Sequence, residues 1–180
     1  MQEPSRPASA ATAFRRTRGA GLNLAAYAAI LDVMADVPAL TPQERITAEC
    51  ARRGKAALVA GCVALLHGRH DEVDDDLVLT LGGEPAAYVL SGGEGGKEGY
   101  WPRVWGARGL LHAWDDAATG AIIHATADEA WRVREMAGKV IARHRVGTAL
   151  AAIAELRADK VARVRAAAEH AVVILTAEDA

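Results

Sequence analysis

"ATADEAWRVREMAGKVIARH" (Ala125–His144) and "LRADKVARVRAAAEHAVVIL" (Leu156–Leu175) are the two stretches on which the fold turns. Laid over each other at an offset of 31 residues without a gap, they match Asp128 with Asp159, Arg132 with Arg163, Val133 with Val164, Arg134 with Arg165 and Ala137 with Ala168. Upstream, Ile122 falls on Ile153. Self-similarity at such a period marks a supersecondary unit that cannot bury its apolar face alone and stacks on a neighbour. A fainter third copy is found in "WPRVWGARGLLHAW" (Trp101–Trp114), where a 30-residue shift places Ala107 under Ala137, and Leu110 and Leu111 under Val140 and Ile141.

Each unit reads as a short helix (about 117–125, then 148–156) followed by a longer one (129–144, then 160–176). On the long helices the apolar positions Val133, Ala137, Val140 and Ile141, and Val164, Ala168, Ala171, Val172 and Leu175, form one buried stripe each. Asp128 and Asp159 stand just before these helices, where a carboxylate caps by accepting a first-turn amide. Gly147 stands between two helices, where a residue free to adopt positive φ is expected.

An aspartate in the inter-helix turn, a Val-Arg pair early in the second helix and an alanine three residues after that arginine together resemble the HEAT repeat, in the short form of about 30 residues found in phycobilisome-lyase-like repeat proteins. The resemblance implies an all-α, armadillo-type superhelix. It also implies that Asp128 with Arg134, and Asp159 with Arg165, take part in a ladder of hydrogen bonds between neighbouring units. An arginine fork suits that task because it holds a carboxylate and free carbonyls at once. The match covers about 117–176, a third of the chain. In the weaker copy Val104 stands where the arginine belongs, so the ladder is expected to stop there.

Composition agrees with an all-α chain. Of 180 residues 51% are apolar and only 4% aromatic, with alanine dominant, which favours close helix packing over a β-sandwich. Upstream, "TPQERITAECARRGKAALVAGCVALLHGR" (Thr41–Arg69) begins with a capping Thr41, Pro42 at the first helical position and Glu44 completing a capping box, with Gly54 as the expected kink. "DDDLVLTLGGEPAAYVLSG" (Asp74–Gly92) reads as a helix or helix pair broken at Gly82, Gly83 and Pro85. With an amphipathic helix at 22–37 this makes about four helix pairs over 21–180, preceded by a basic, Pro- and Ser-rich arm at 1–20. The Arg15-Arg16 pair before that helix resembles an export signal, but Asp32 and Asp36 interrupt the apolar stretch. No run reaches a membrane span's length, and the chain is placed in the cytoplasm, where Cys50 and Cys62 are read as buried thiols.

A net charge of -2 confines any charged binding surface to a local patch. "SGGEGGKEGYWPRVW" (Ser91–Trp105) fails as a phosphate-binding loop: Ser91 takes the place of the first glycine and Glu98 that of the magnesium-binding hydroxyl, and no apolar strand precedes it. It reads as a flexible joint. All four tryptophans, Trp101, Trp105, Trp114 and Trp131, lie on or beside the long helices. Trp105 and Trp114 suit a core short of bulk, while Trp101 and Trp131 open their helices and are expected to be partly exposed. Away from the buried stripe lie Arg132, Glu135, Lys139, Arg143, Arg163 and His170, and from Glu129 to His170 there are nine Lys or Arg against five Asp or Glu. His67 and His70 precede five acids in "HDEVDDD" (His70–Asp76), which read as an acidic loop that ends one helix and caps the next with Asp74 to Asp76 rather than as a metal site. No catalytic constellation, metal site or cofactor site is assembled from these residues.

The function expected is a non-enzymatic repeat scaffold that grips a protein partner on its concave face through Tyr100, Trp101, Arg103, Trp105, Arg108, Trp131, Arg132, Lys139 and Arg143. Two rivals are a nucleic-acid module resembling the HEAT-like alkylpurine DNA glycosylases, and a bilin lyase-like protein.

Overall fold

The computed structural model describes residues 40–177, so the arm at 1–20 and the helix expected at 22–37 lie outside the described residues. Among the described residues there are nine α-helices, joined by short 3-10 turns, and no strand. They are α1 (Pro42–Arg53), α2 (Lys55–Leu66), α3 (Asp75–Gly82), α4 (Glu84–Leu90), α5 (Trp101–His112), α6 (Thr119–Ala125), α7 (Trp131–His144), α8 (Leu150–Glu155) and α9 (Ala162–Thr176). None of these is long and apolar enough to cross a membrane.

Local chemistry starts and stops these helices. Thr41 accepts the Glu44 amide while the Glu44 carboxylate accepts the Thr41 amide, the reciprocal pair that closes an N-terminus. Gly54, at φ +88°, separates α1 from α2. Asp74 caps α3 by accepting the Leu77 amide at 2.8 Å. The left-handed residue ending α7 is Arg145 at φ +50°, not Gly147. Gly147 instead opens a 3-10 turn, Gly147–Ala149, that leads into α8.

The long helices pack in series: α5 contacts α2 on one side and α7 on the other, and α7 also contacts α9. The core runs through all four, from Leu58, Cys62 and Leu65 through Trp105 and Leu110 to Val133, Ile141, Val164 and Ala168. Two glycines let α5 approach α2. A β-carbon on Gly106 would lie 2.8 Å from the Cys62 carbonyl oxygen, and one on Gly109 would lie 2.3 Å from the Cys62 sulfur. Sealed under this contact, the Cys62 thiol is pushed by burial up to about 12.

Arginine forks bind successive units together. Arg134 donates from Nε and Nη2 to the Asp159 carboxylate at 2.7 and 3.2 Å, and from Nη1 to the carbonyls of Asp128 and Glu129 at 2.7 and 2.9 Å. Both side chains of this pair are more than nine-tenths buried. Asp159 is oriented by the Val161 amide at 2.7 Å, and Asp128 likewise by the Ala130 amide at 2.8 Å. The aspartates thus sit three residues ahead of Trp131 and Ala162, which begin α7 and α9, in tight turns, rather than directly capping the helices.

The same rung recurs in the unit where Val104 was expected to end it. Arg103 donates from Nε and Nη2 to Asp128 at 2.8 and 3.3 Å, and from Nη2 to Glu129 at 3.1 Å. Both rungs join residues 25 apart. The third copy therefore shares the 31-residue register of the other two, with Arg103, Arg134 and Arg165 equivalent. In that register the buried Pro102, Gly106, Gly109 and Leu110 match the buried Val133, Ala137, Val140 and Ile141, which the 30-residue shift had misaligned by one. Near the other end of the described chain, Arg53 reaches Asp74 at 2.7 and 3.0 Å and also bonds Glu49.

Three stability predictions follow from this packing and are read by denaturant unfolding. Gly106→Ala forces α5 off the α2 backbone and is expected to cost about 2 kcal/mol or more. By contrast, Gly120→Ala in α6, where a β-carbon meets nothing within 4 Å, should stabilise by about 0.5 kcal/mol. Arg134→Met leaves the Asp159 carboxylate buried without its partner and should cost about 3 kcal/mol or more. Acid should act on the same bonds. The Arg134 hydrogen bonds hold the Asp159 carboxyl below its ordinary value, and those from Arg53 do the same for Asp74. A depressed folded value contributes stability above the unfolded pKa of about 4 that is lost as pH falls through the folded one. The melting temperature should therefore drop below about pH 4, and less steeply in Asp159→Asn, which already lacks this contribution at neutral pH.

Candidate functional site

The first turns of α5, α7 and α9 carry a cluster of aromatic rings and guanidinium groups. Tyr100 immediately precedes α5, Trp101 opens it and Trp131 opens α7. The Arg132 guanidinium lies 4.4 Å from the Trp131 ring centroid, 5.3 Å from Trp101 and 5.9 Å from Tyr100. Arg163 of α9 approaches Trp131 at 5.6 Å. Each such cation-ring contact is worth about 0.5–1 kcal/mol where water has access. Together they hold the rings and both arginines as one half-exposed surface.

The 31-residue register produces this arrangement. Trp101, Arg132 and Arg163 occupy equivalent positions on consecutive helices, as do Tyr100 and Trp131, so side chains separated in sequence form a row. Beside the row the buried Glu135 carboxylate accepts from Lys139 at 2.8 Å and from Arg163 at 3.1 and 3.2 Å. Burial pushes the Glu135 pKa up, but the bonds and charges of Lys139 and Arg163 outweigh it, so the carboxyl is held below its ordinary value. Glu135 is therefore an anchor for two cations rather than part of an open helix face.

The loop before α5 is tied down at several points. Lys97 forms an ion pair with Asp75 at 2.5 Å, the Trp101 indole donates to Glu94, and the Tyr88 ring covers Gly93. Its turns use positive φ at Gly92, Glu94, Gly95 and Gly96. Beneath it lies a small pocket lined by Leu65, His70, Lys97, Glu98, Pro102 and Arg103. Its two permanent cations, Lys97 and Arg103, are already paired with carboxylates.

Of the residues expected to bind a partner, the structure brings Tyr100, Trp101, Trp131 and Arg132 together, with Lys139 beside them. Arg103 is withdrawn into its rung with Asp128. Trp105 is 1% exposed, packed under Trp101 at 6.0 Å and against Gly82, so it belongs to the core and offers no surface to a partner. Two turns along α5, Arg108 is half-buried, and burial together with the nearby charge of Arg45 lowers its pKa. Arg143 is exposed, and its charge acts on His112 and His144, away from the rings. Trp114 stacks on His144 at 5.0 Å and donates to Asp116 at 3.0 Å. Arg163 is the member that the sequence reading left out of the site, although its equivalence to Arg132 was visible.

Among the described residues no three His, Cys, Asp or Glu side chains are grouped to hold a metal ion. In comparisons with known proteins, no family model, curated protein or solved structure matches the chain.

The two kinds of tryptophan should separate in mutagenesis. Trp105→Ala is expected to cost about 3–5 kcal/mol of unfolding free energy, whereas Trp131→Ala, at the half-exposed cluster, should cost about 1 kcal/mol.

Proposed function

We propose that the chain is a non-enzymatic α-solenoid scaffold of short HEAT-like repeats that binds a protein partner through the surface made by Tyr100, Trp101, Trp131, Arg132 and Arg163. The repeat reading is supported by the recurrence of one arginine-aspartate rung at one spacing, in Arg103–Asp128 and Arg134–Asp159. The binding reading is carried by a single observation: Arg132 lies between rings contributed by two helices, and these rings, although their inner sides pack against the core, stay half-exposed beside it. Tryptophan, tyrosine and arginine are the residues that dominate binding energy at protein interfaces. Because the row is pre-formed by cation-ring contacts, little side-chain freedom remains to be lost when a partner docks. Its arginines suit a partner that presents acidic or aromatic side chains, and the reading places the protein in the cytoplasm.

The same ingredients, stacked rings beside arginines, form the basis of nucleic-acid binding. Here the charge of Arg163 and Lys139 is already offset by Glu135, which favours a protein partner.

A pull-down from native extract should recover a defined partner with the wild type and lose it with Trp101→Ala plus Arg132→Ala, while the melting temperature of that double variant stays within a few degrees of wild type. Retention of all partners by the double variant would place the binding surface elsewhere. Salt-sensitive binding of duplex DNA by the wild type would transfer the proposal to nucleic acid.

A further inference from the structure

Among the described residues the last arginine of the series is seated like the others but meets no carboxylate. Arg165 repeats the seating of Arg134: its Nη1 donates to the carbonyls of Asp159 and Lys160 at 2.8 and 3.2 Å, as Arg134 Nη1 does to Asp128 and Glu129. In Arg103 and Arg134 the Nε and Nη2 edge then grips an aspartate held in a tight turn by the amide two residues on. Among the described residues no carboxylate meets that edge of Arg165, whose side chain is exposed.

We infer that Arg165 and the outer face of α9 form a docking site for a helix of another protein that begins with an aspartate in such a turn. The surroundings suit this occupant. Ala162, Ala166 and Val173 share the exposed face with Arg165, and Val173 is 55% exposed, giving a helix small side chains and one apolar contact to pack on. Glu169, on the same face, is drawn towards Arg157 at 2.6 Å. The guanidinium is pre-seated on two carbonyls, so a carboxylate meets a fork already held in geometry. Exposed alone, an arginine prefers water. With an aspartate fixed by its own turn, both parallel bonds form at once.

The site is tested through Arg165, which makes no contact with the aromatic row, so its failure leaves the proposal for that row untouched. The test titrates the full chain with a fluorescein-labelled peptide of residues 156–176, the segment that fills the rung of Arg134 within the chain. Saturable binding is expected, weakened about tenfold or more by Arg165→Gln in the protein or by Asp159→Asn in the peptide, with no further loss when both are changed. Neither a lack of saturable binding nor an affinity indifferent to these two changes is compatible with the inference. Self-association of the unmodified chain that disappears in Arg165→Gln would overturn the commitment to a separate partner by making a second copy the occupant.

Discussion

One buried guanidinium sets the geometry on which the C-terminal half depends. Arg134 spans the start of its own unit, through two backbone carbonyls, and the start of the following unit, through the Asp159 carboxylate. A charge pair removed from water contributes little net stability and becomes costly as soon as one bond is lost. It therefore acts as a gauge of register: α7 and α9 fit only at the phase and spacing that satisfy all four bonds. The driving force comes from the apolar stripe beneath, where Val133, Ala137, Val140, Ile141, Val164, Ala168 and Ala171 are buried. Without the rung, that alanine-rich seam would have shallow features with which to choose one register over its neighbours.

Short rungs demand close helices, and small residues provide them. Gly138 receives Ala167 between α7 and α9, the pair joined by the Arg134 rung, while Gly106 and Gly109 admit the backbone and sulfur of Cys62 at the α5–α2 contact, which no described rung spans. The low aromatic content follows from the same demand, since large rings between these helices would hold the forks out of reach. Trp105 is the exception. It occupies the junction of α3 and α5, where Gly82 leaves space for the indole.

The candidate binding surface is a by-product of this register. Once each unit repeats the position of its arginine fork, the residues two and three positions before it are brought side by side as well, from one helix to the next. Trp101 and Arg132 meet across helices, and Trp131 is bracketed by Arg132 and Arg163. The spacing that serves stability also assembles the row of rings and cations.

The amino-acid sequence by itself determined the helices and their ends: the Thr41–Glu44 capping box, the break at Gly54, the Asp74 cap, and the equivalence of Arg134 with Arg165 all rest on contacts within a few residues or on direct repetition. It also marked Tyr100, Trp101, Trp131 and Arg132 as unusual. Only the tertiary structure decided that Arg103, and not Val104, is the third fork, because a one-residue shift is settled by which side chains are buried across two helices. It likewise decided between the core and the partner surface for Trp105, to which the sequence assigned both, enclosed Glu135 between Lys139 and Arg163, and gave Arg145 the left-handed turn expected of Gly147. The reason is common to the first three. Local rules fix where a helix begins and which face is apolar, whereas the partner of a charge and the depth of a ring depend on residues brought in from other helices, 25 positions away for the two rungs and 28 for Glu135 with Arg163.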